Sequence, residues 1–183
     1  GVDLIDIDLK TLRHSIGYVP QENFLFSSSV VDNICFGLEE NNLSEAKKCA
    51  EYSAVDKDIE DFPDKYDTIV GERGVTLSGG QRQRISIARA IIKDPAILIM
   101  DDSVSAVDTE TEEIILNYIH KERVNKTTII IAHRISTVKD LDKIVIVEDG
   151  KIIGVGRHEE LLQNSPQYQE MVLLQQLDEE EVR

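Results

Sequence analysis

Short apolar runs bounded by chain-breaking residues alternate with longer stretches in which apolar residues return every three or four positions. That alternation predicts a succession of strands and helices. Leu12 to Val19 reads as a helical turn passing into a strand, Ile16 to Val19, stopped at Pro20. From Leu43-Ser44 onward, Ala46, Cys49, Ala50, Ser53 and Ala54 recur at the spacing of a half-buried helix. Asp56 to Tyr66 is acidic and without period, which predicts a solvated, irregular connection. A helix follows from about Gly80 to Ile92, ending near Lys93-Asp94-Pro95 because the residue before a proline is pushed out of the helical region.

Beyond Pro95 the pattern becomes one of buried strands separated by helices, which favours an α/β fold with a parallel sheet and crossover helices. Ala96 to Met100 reads as a buried strand and Thr127 to Ala132 as a second. Between them a helix begins near Asp108-Thr109, where Thr109 and Glu112 make a capping-box pattern and Ile114, Ile115, Tyr118 and Ile119 form the inner face. Lys143 to Val147 and Lys151 to Val155 flank Asp149-Gly150, a strong hairpin signal. His158 to Leu177 predicts two short helices broken at Pro166, and Asp178 to Glu181 a frayed tail. There is no internal repeat or low-complexity segment.

Composition narrows the class. The 183 residues, 41% of them hydrophobic, suffice for about one domain with its own core. The net charge of −15 argues against nucleic-acid binding through a broad basic face. Cys35 and Cys49 have no CxxC or Cys/His spacing, so neither a disulfide framework nor a zinc site is expected, in keeping with a reducing, cytosolic setting. The longest apolar runs are strand-sized, too short to cross a bilayer. The chain opens on Gly1-Val2-Asp3-Leu4, which reads as mid-domain sequence and suggests a piece of a longer polypeptide.

The chemistry gathers in two segments. Leu77-Ser78-Gly79-Gly80-Gln81-Arg82-Gln83-Arg84 sets a hydroxyl and bare backbone N–H groups at the positive end of a helix, which suits an anion such as phosphate. Twenty residues after Gln81, the run Ile97-Leu98-Ile99-Met100 ends in Asp101-Asp102, paired carboxylates of the kind that ligate the Mg2+ accompanying a phosphate site. Because Asp101 closes a buried strand, its carboxylate emerges at the sheet edge where ligands of open α/β sheets bind. Together the two segments point to nucleotide chemistry.

These residues, with others in the same order, resemble the ATP-binding domain of ATP-binding-cassette transporters of the exporter type. The match covers nearly the whole chain: Val19-Pro20-Gln21 (Q-loop), Leu77 to Gln81 (signature), Ile97 to Asp101 (Walker B), Ser105-Ala106-Val107-Asp108 (D-loop) and His133 (switch). Linking residues resemble exporters too: Phe26 with Asp32-Asn33-Ile34, Gly71-Glu72-Arg73-Gly74, and Gly156-Arg157-His158-Glu159-Glu160-Leu161. The resemblance implies a P-loop NTPase (RecA-like) sheet with flanking helices and an inserted α-helical subdomain. It divides the chain into 1–21, the end of the first RecA-like part; 22–93, the helical subdomain with the signature; and 94–183, the RecA-like part with Walker B, D-loop, switch histidine and C-terminal helices.

It further implies ATP and Mg2+ as cofactors, with Asp101 and Gln21 at the metal and Gln21, Asp102 and His133 as catalytic residues. Ser78, Gly79, Gly80 and Gln81 are implied to bind the γ-phosphate of ATP held by a second nucleotide-binding domain, and Asp108 to make the dimer contact. A transmembrane domain is the other implied partner, sensed through loops around Gln21 and Glu72, at the cytoplasmic face of the cell membrane. Nucleic acid is not an implied partner. Chromosome-maintenance heads also carry a signature and Walker B, but they connect to long coiled coils. Here only about eighty residues separate Gln21 from Asp101, with no heptad run.

Two departures stand out. No G-x-x-x-x-G-K-[ST] occurs, since the only Gly-Lys, Gly150-Lys151, is followed by Ile152. In the family that loop lies shortly before the equivalent of Gly1-Val2-Asp3, so truncation is the expectation, and this chain alone is expected to bind ATP weakly or not at all. The residue after Asp101 is Asp102, where most members carry a Glu thought to be the catalytic base. Two functions therefore stand: an ATP-hydrolysing motor domain of an exporter, or a largely non-hydrolytic half of a heterodimer that lends its signature to the partner's active site.

Overall fold

The computed structural model describes residues 2–71, 74–104 and 107–181, with side chains through 177. They form two compact units, Gly1–Ile131 and Ala132–Arg183. In the first, after a 3-10 turn at Leu4–Asp6, the order is α1 (Leu9–His14), β1 (Ile16–Val19), α2 (Val30–Cys35), α3 (Leu43–Tyr52) and α4 (Asp56–Glu60). After a second 3-10 turn, Lys65–Asp67, come α5 (Gly79–Ile91), β2 (Ile97–Asp101), α6 (Thr109–Glu122) and β3 (Thr127–Ile131).

The three strands form a parallel sheet in the order β1-β2-β3, with Val19 opposite Met100 and Asp101 opposite Ile131. Their carboxyl ends therefore share one edge. β2 lies in the middle, and its inward residues Leu98 and Met100 are fully buried. Such parallel pairing requires crossover connections, which the helices supply.

α5 is the element on which this unit closes, packing against α2, α3 and β1. Its buried stripe includes Ile85, Ile87, Ala88 and Ile91. β1 comes so near that a Cβ on Gly17 would lie 2.5 Å from the Ala90 carbonyl oxygen and 2.7 Å from Pro95 Cγ. Only glycine permits that approach. α3 turns Ala46, Cys49 and Ala50 inward, matching the face expected from its spacing. Cys35 and Cys49 are both buried free thiols, and burial pushes Cys49 up to about 12.

Four expectations need correction. Asp56 to Tyr66 is no irregular connection: it holds α4 and the start of the 3-10 turn, because Ile59 and Tyr66 anchor it in the core while Glu60, Asp61 and Asp64 stay exposed. β3 is not buried among the described residues, where it pairs with β2 alone and Ile129 and Ile131 are 47% and 46% exposed. The cap of α6 is Asp108 rather than Thr109, since the extended Asp108 backbone lets its carboxylate accept from the Thr111 amide at 2.9 Å. Ile114, expected inside, is exposed, and Thr111, Ile115, Tyr118 and Ile119 form the buried face.

In the second unit, α7 (Ile135–Val138) precedes β4 (Ile144–Glu148) and β5 (Lys151–Gly156), an antiparallel pair. The turn holds Asp149 and Gly150 at φ of 48° and 73°, as the Asp-Gly signal predicts. α8 (His158–Asn164) and α9 (Pro166–Glu181) follow, divided at Pro166 as expected. α9 runs on through Glu181 where fraying was expected, because nothing after Pro166 breaks the helical pattern. Ile144, Ile146, Leu161 and Tyr168 make this unit's core.

The cap of α2 sets a pH dependence. Asp32 accepts from the Ser28 hydroxyl at 2.5 Å, and also from the Ser29 amide and Asn41; these bonds hold its carboxyl down to about 2. A depressed folded-state value means that the contribution is present above the unfolded value near 3.8 and is lost as pH falls toward 2. The stability-against-pH curves of the parent and Asp32→Asn should therefore differ above about pH 4 and converge near pH 2, measured by denaturant unfolding across that window. Ile85→Ala, which empties a fully buried site on α5, should cost ~2–5 kcal/mol in the same assay.

Candidate functional site

The carboxyl edge of the three-stranded sheet gathers the expected acidic and amide groups. Asp101 ends β2, and the Tyr18 hydroxyl on neighbouring β1 donates to its Oδ2 at 3.2 Å. Partial desolvation, with the Asp101 carboxylate beside it, raises the Tyr18 hydroxyl above its ordinary value. Two residues past β1, Gln21 donates from Nε2 to Asp102 Oδ2 at 3.4 Å. Asp102 has a left-handed backbone, φ 45°, and its amide donates to the Ile131 carbonyl at 2.9 Å. Thus Gln21, Asp101 and Asp102 meet, as expected from their motifs. Carboxylates with an amide oxygen are hard donors suited to Mg2+, which keeps much of its water and needs only one or two protein carboxylates.

The second segment forms a capped helix start. Ser78 is extended, φ −64° and ψ 162°. Its hydroxyl accepts from the Gln81 amide at 3.1 Å, while Gln81 Oε1 accepts from the Ser78 amide at 3.0 Å. The first bond along the helix is from Arg82 N–H to Ser78 O at 3.1 Å, so the amides of Gly79 and Gly80 precede the helical ladder. Around Gly79 the space is open: a Cβ there would meet only Arg82 Nη2, at 4.0 Å. Two N–H groups at a positive helix end, with a hydroxyl able to donate outward, fit a phosphate oxygen.

Gln81's own amide is engaged elsewhere. Its Nε2 donates to Asp58 Oδ1 at 2.8 Å. Arg84 Nη1 pairs with Asp58 Oδ2 at 2.7 Å and also donates to the Ala54 carbonyl. Asp58, from the stretch expected to be a solvated connection, thus fixes the signature helix from outside the motif.

The segment after Gln21 is held by a half-buried arginine. Arg89 on α5 donates to Phe24 O at 2.8 Å, Asn33 O at 2.8 Å and Asn33 Oδ1 at 2.7 Å. Its guanidinium sits 5.5 Å from the Phe26 ring centroid and 6.0 Å from that of Phe36. Desolvation lowers Arg89 to about 10. Asn33, fully buried, returns bonds to Phe26 N and O.

His133 belongs to the second unit and is exposed. There Gln175 of α9 grips the backbone on both sides of Arg134, accepting from the Ile135 amide at 2.7 Å and donating to the His133 carbonyl. Asp108 caps α6, and its bonds to Thr111 lower its carboxyl. Ser105 and Ala106 of the D-loop segment, and Glu72 and Arg73, lie outside the described residues. Sequence reasoning missed Tyr18, Asp58, Gln83, Arg89, Asn33 and Gln175. The available signal was a polar residue on an apolar helix stripe, which Gln83 and Arg89 both are.

Comparison with known proteins agrees with this geometry. Residues 1–105 match the ABC transporter family. The chain is 46% identical over 182 residues to "ABC transporter B family member 18" of Arabidopsis thaliana, covering 99% of this chain and 15% of that protein. It is 46% identical over 177 residues to "Probable multidrug resistance ABC transporter ATP-binding/permease protein YheI" of Bacillus subtilis (strain 168), covering 97% of this chain and 30% of that one. A solved bacterial Atm1-family ABC exporter with ATP bound superposes with a TM-score of 0.90 at 39% identity, over 96% of this chain and 31% of the exporter. The chain thus spans well under half of each of these relatives, and among the described residues no helix is long and apolar enough to cross a membrane. It belongs to the ABC transporter family and carries the P-loop NTPase fold of that family's exporter nucleotide-binding domains.

Proposed function

We propose that this chain is the motor part of an ATP-driven exporter. In this reading, ATP binding closes it against a second nucleotide-binding domain, and hydrolysis reopens the pair. The observation that carries the reading is the sheet edge where Tyr18 and Gln21 orient the carboxylates of Asp101 and Asp102. The open, capped turn Ser78–Gly80 supports it. ATP with Mg2+ would supply the phosphoryl group and the charge that neutralises its oxygens.

Each residue then has a task. Asp101, oriented by Tyr18, and Gln21 would hold Mg2+, which would supply charge neutralisation at the phosphate, and Asp102 would accept the proton of the attacking water. His133, on a loop whose backbone Gln175 fixes, contacts the γ-phosphate. Ser78, Gly79, Gly80 and Gln81 complete the partner's site; the Gly79 and Gly80 amides bear on the phosphate, while Gln81 keeps the turn in shape through Ser78 and Asp58. Asp108 makes the dimer contact while capping α6. The lysine-bearing phosphate loop comes from outside these residues. We assign 1–21 and 94–183 to the RecA-like part and 22–93 to the helical subdomain. Phe24, Phe26 and the segment around Gln21 face a transmembrane domain at the cytoplasmic side of the cell membrane.

Asp102 favours a second form of this reading, in which the chain is the slow half of a heterodimer. Its backbone is fixed at Ile131, and its side chain is one methylene shorter than Glu. A shortfall on the order of 1 Å costs up to about a hundredfold in rate. In the intact polypeptide with its partner domain, Asp102→Glu should raise phosphate release several-fold; unchanged or reduced release would remove the slow-half form. In the same assay Asp101→Asn should lower turnover by about a hundredfold or more while leaving the denaturation midpoint within a few degrees, since the carboxylate acts on transition-state charge.

A further inference from the structure

α5 touches both halves of the chemistry. Its first turn is Ser78–Gly80, and one turn further Gln83 points inward, 3% exposed. Gln83 Nε2 donates to the backbone carbonyl of Asp102 at 3.3 Å. Asp102 is therefore held at its amide by Ile131, at its carbonyl by Gln83 and at its carboxylate by Gln21.

Gln83 is an expensive residue for its place. It lies on the stripe that continues as Ile85, Ile87 and Ala88, and its Oε1 is buried with no hydrogen-bond partner among the described residues. An amide with one end unsatisfied is less favourable there than an apolar side chain of equal length. Packing alone does not account for it, whereas the bond to Asp102 does. Asp102 needs that bond because a non-glycine residue at φ 45° persists only when its surroundings hold it.

We propose that Gln83 is a positioning residue for Asp102 and links the signature turn to the carboxylate at the end of β2. The link rests on the reading of Ser78–Gly80 as phosphate-binding and of Asp102 as acting on the attacking water. An oxygen drawn onto the Gly79 and Gly80 amides pulls α5 along its axis. Gln83, about 5 Å further along the rigid helix, carries that displacement to the Asp102 carbonyl. Because the Asp102 amide is fixed on β3, the peptide turns rather than shifts, and the carboxylate turns with it. Since the signature serves nucleotide held by the partner, occupation of one site would set the carboxylate of the other.

Gln83→Met keeps length and volume and removes the donor; Gln83→Glu keeps the shape and replaces the donor with an acceptor. In the intact polypeptide assembled with its partner domain, hydrogen exchange should speed up about fivefold or more at the Asp102 amide in Gln83→Met and stay within twofold across α5 and β1. Steady-state turnover should fall about tenfold with KM for ATP within twofold, the split expected of a displaced catalytic group. If Gln83→Met does not fold, Gln83→Glu is read in the same two assays. Unchanged exchange at Asp102 with unchanged kcat overturns the proposal, as does a uniform rise in exchange across the core, which marks a packing role only. A parent complex without ATP turnover would overturn the functional reading, and the exchange at Asp102 would then still decide whether Gln83 holds that peptide.

Discussion

The first unit depends on one half-buried guanidinium, that of Arg89. Arg89 is partly withdrawn from water, and that desolvation disfavours its charge. It persists there because its donors meet Phe24 O, Asn33 O and Asn33 Oδ1 and its planar face meets two aromatic rings. The dependence runs in both directions: without Arg89 those acceptors lose a charge-assisted partner, and without the Asn33 side chain the guanidinium loses one of its acceptors. What this fixes is the path from Gln21 to Cys35, a stretch with only one six-residue helix of its own. Gln21 can reach Asp102 because the chain that leaves it is pinned to α5 a few residues later.

α5 is thus less a packing element than a frame for polar groups that would otherwise have no fixed positions. Arg84 and Gln81 tie its first turns to Asp58, Gln83 ties it to Asp102, and Arg89 ties it to the segment after Gln21. Its apolar stripe supplies the burial energy, and Gln83 and Arg89 on that stripe orient backbone at the sheet edge or beside it. This separates stability from geometry. Ile85 and Ile87 hold the helix in place, while the amides and guanidinia decide where neighbouring backbones lie.

Much of the fold was legible because it is written in periodicity and punctuation. β1 stops at Pro20, α5 starts at a serine cap and ends before Pro95, and the Asp149-Gly150 turn has the left-handed backbone its residues favour. The failures share a cause. Asp56 to Tyr66 looked solvated because its acidic residues dominate the composition, while two residues, Ile59 and Tyr66, supply the anchoring. Ile129 and Ile131 looked buried because an apolar run carries no record of whether a strand has one neighbour or two. At the site, the motif residues at the sheet edge were readable, but the groups that hold them were not. Tyr18, Gln83 and Arg89 work through partners 56 to 83 residues away or at backbone atoms, and local pattern carries no trace of such pairings.

The groups holding the two carboxylates also bear on what the edge can bind. Tyr18 reaches Asp101 with a hydroxyl and Gln21 reaches Asp102 with an amide, and both donors are neutral. A neutral donor orients a carboxylate without cancelling its charge, whereas a lysine or arginine in the same position would neutralise it and compete with any cation. These two donors leave the charge of the carboxylates in place, on a chain already at −15, which suits a cation carried in with a ligand. In the proposed pairing a divalent ion carried in with a polyphosphate would meet the carboxylates, and the negative charge of the phosphate would be met at the glycine-turn amides of the second nucleotide-binding domain.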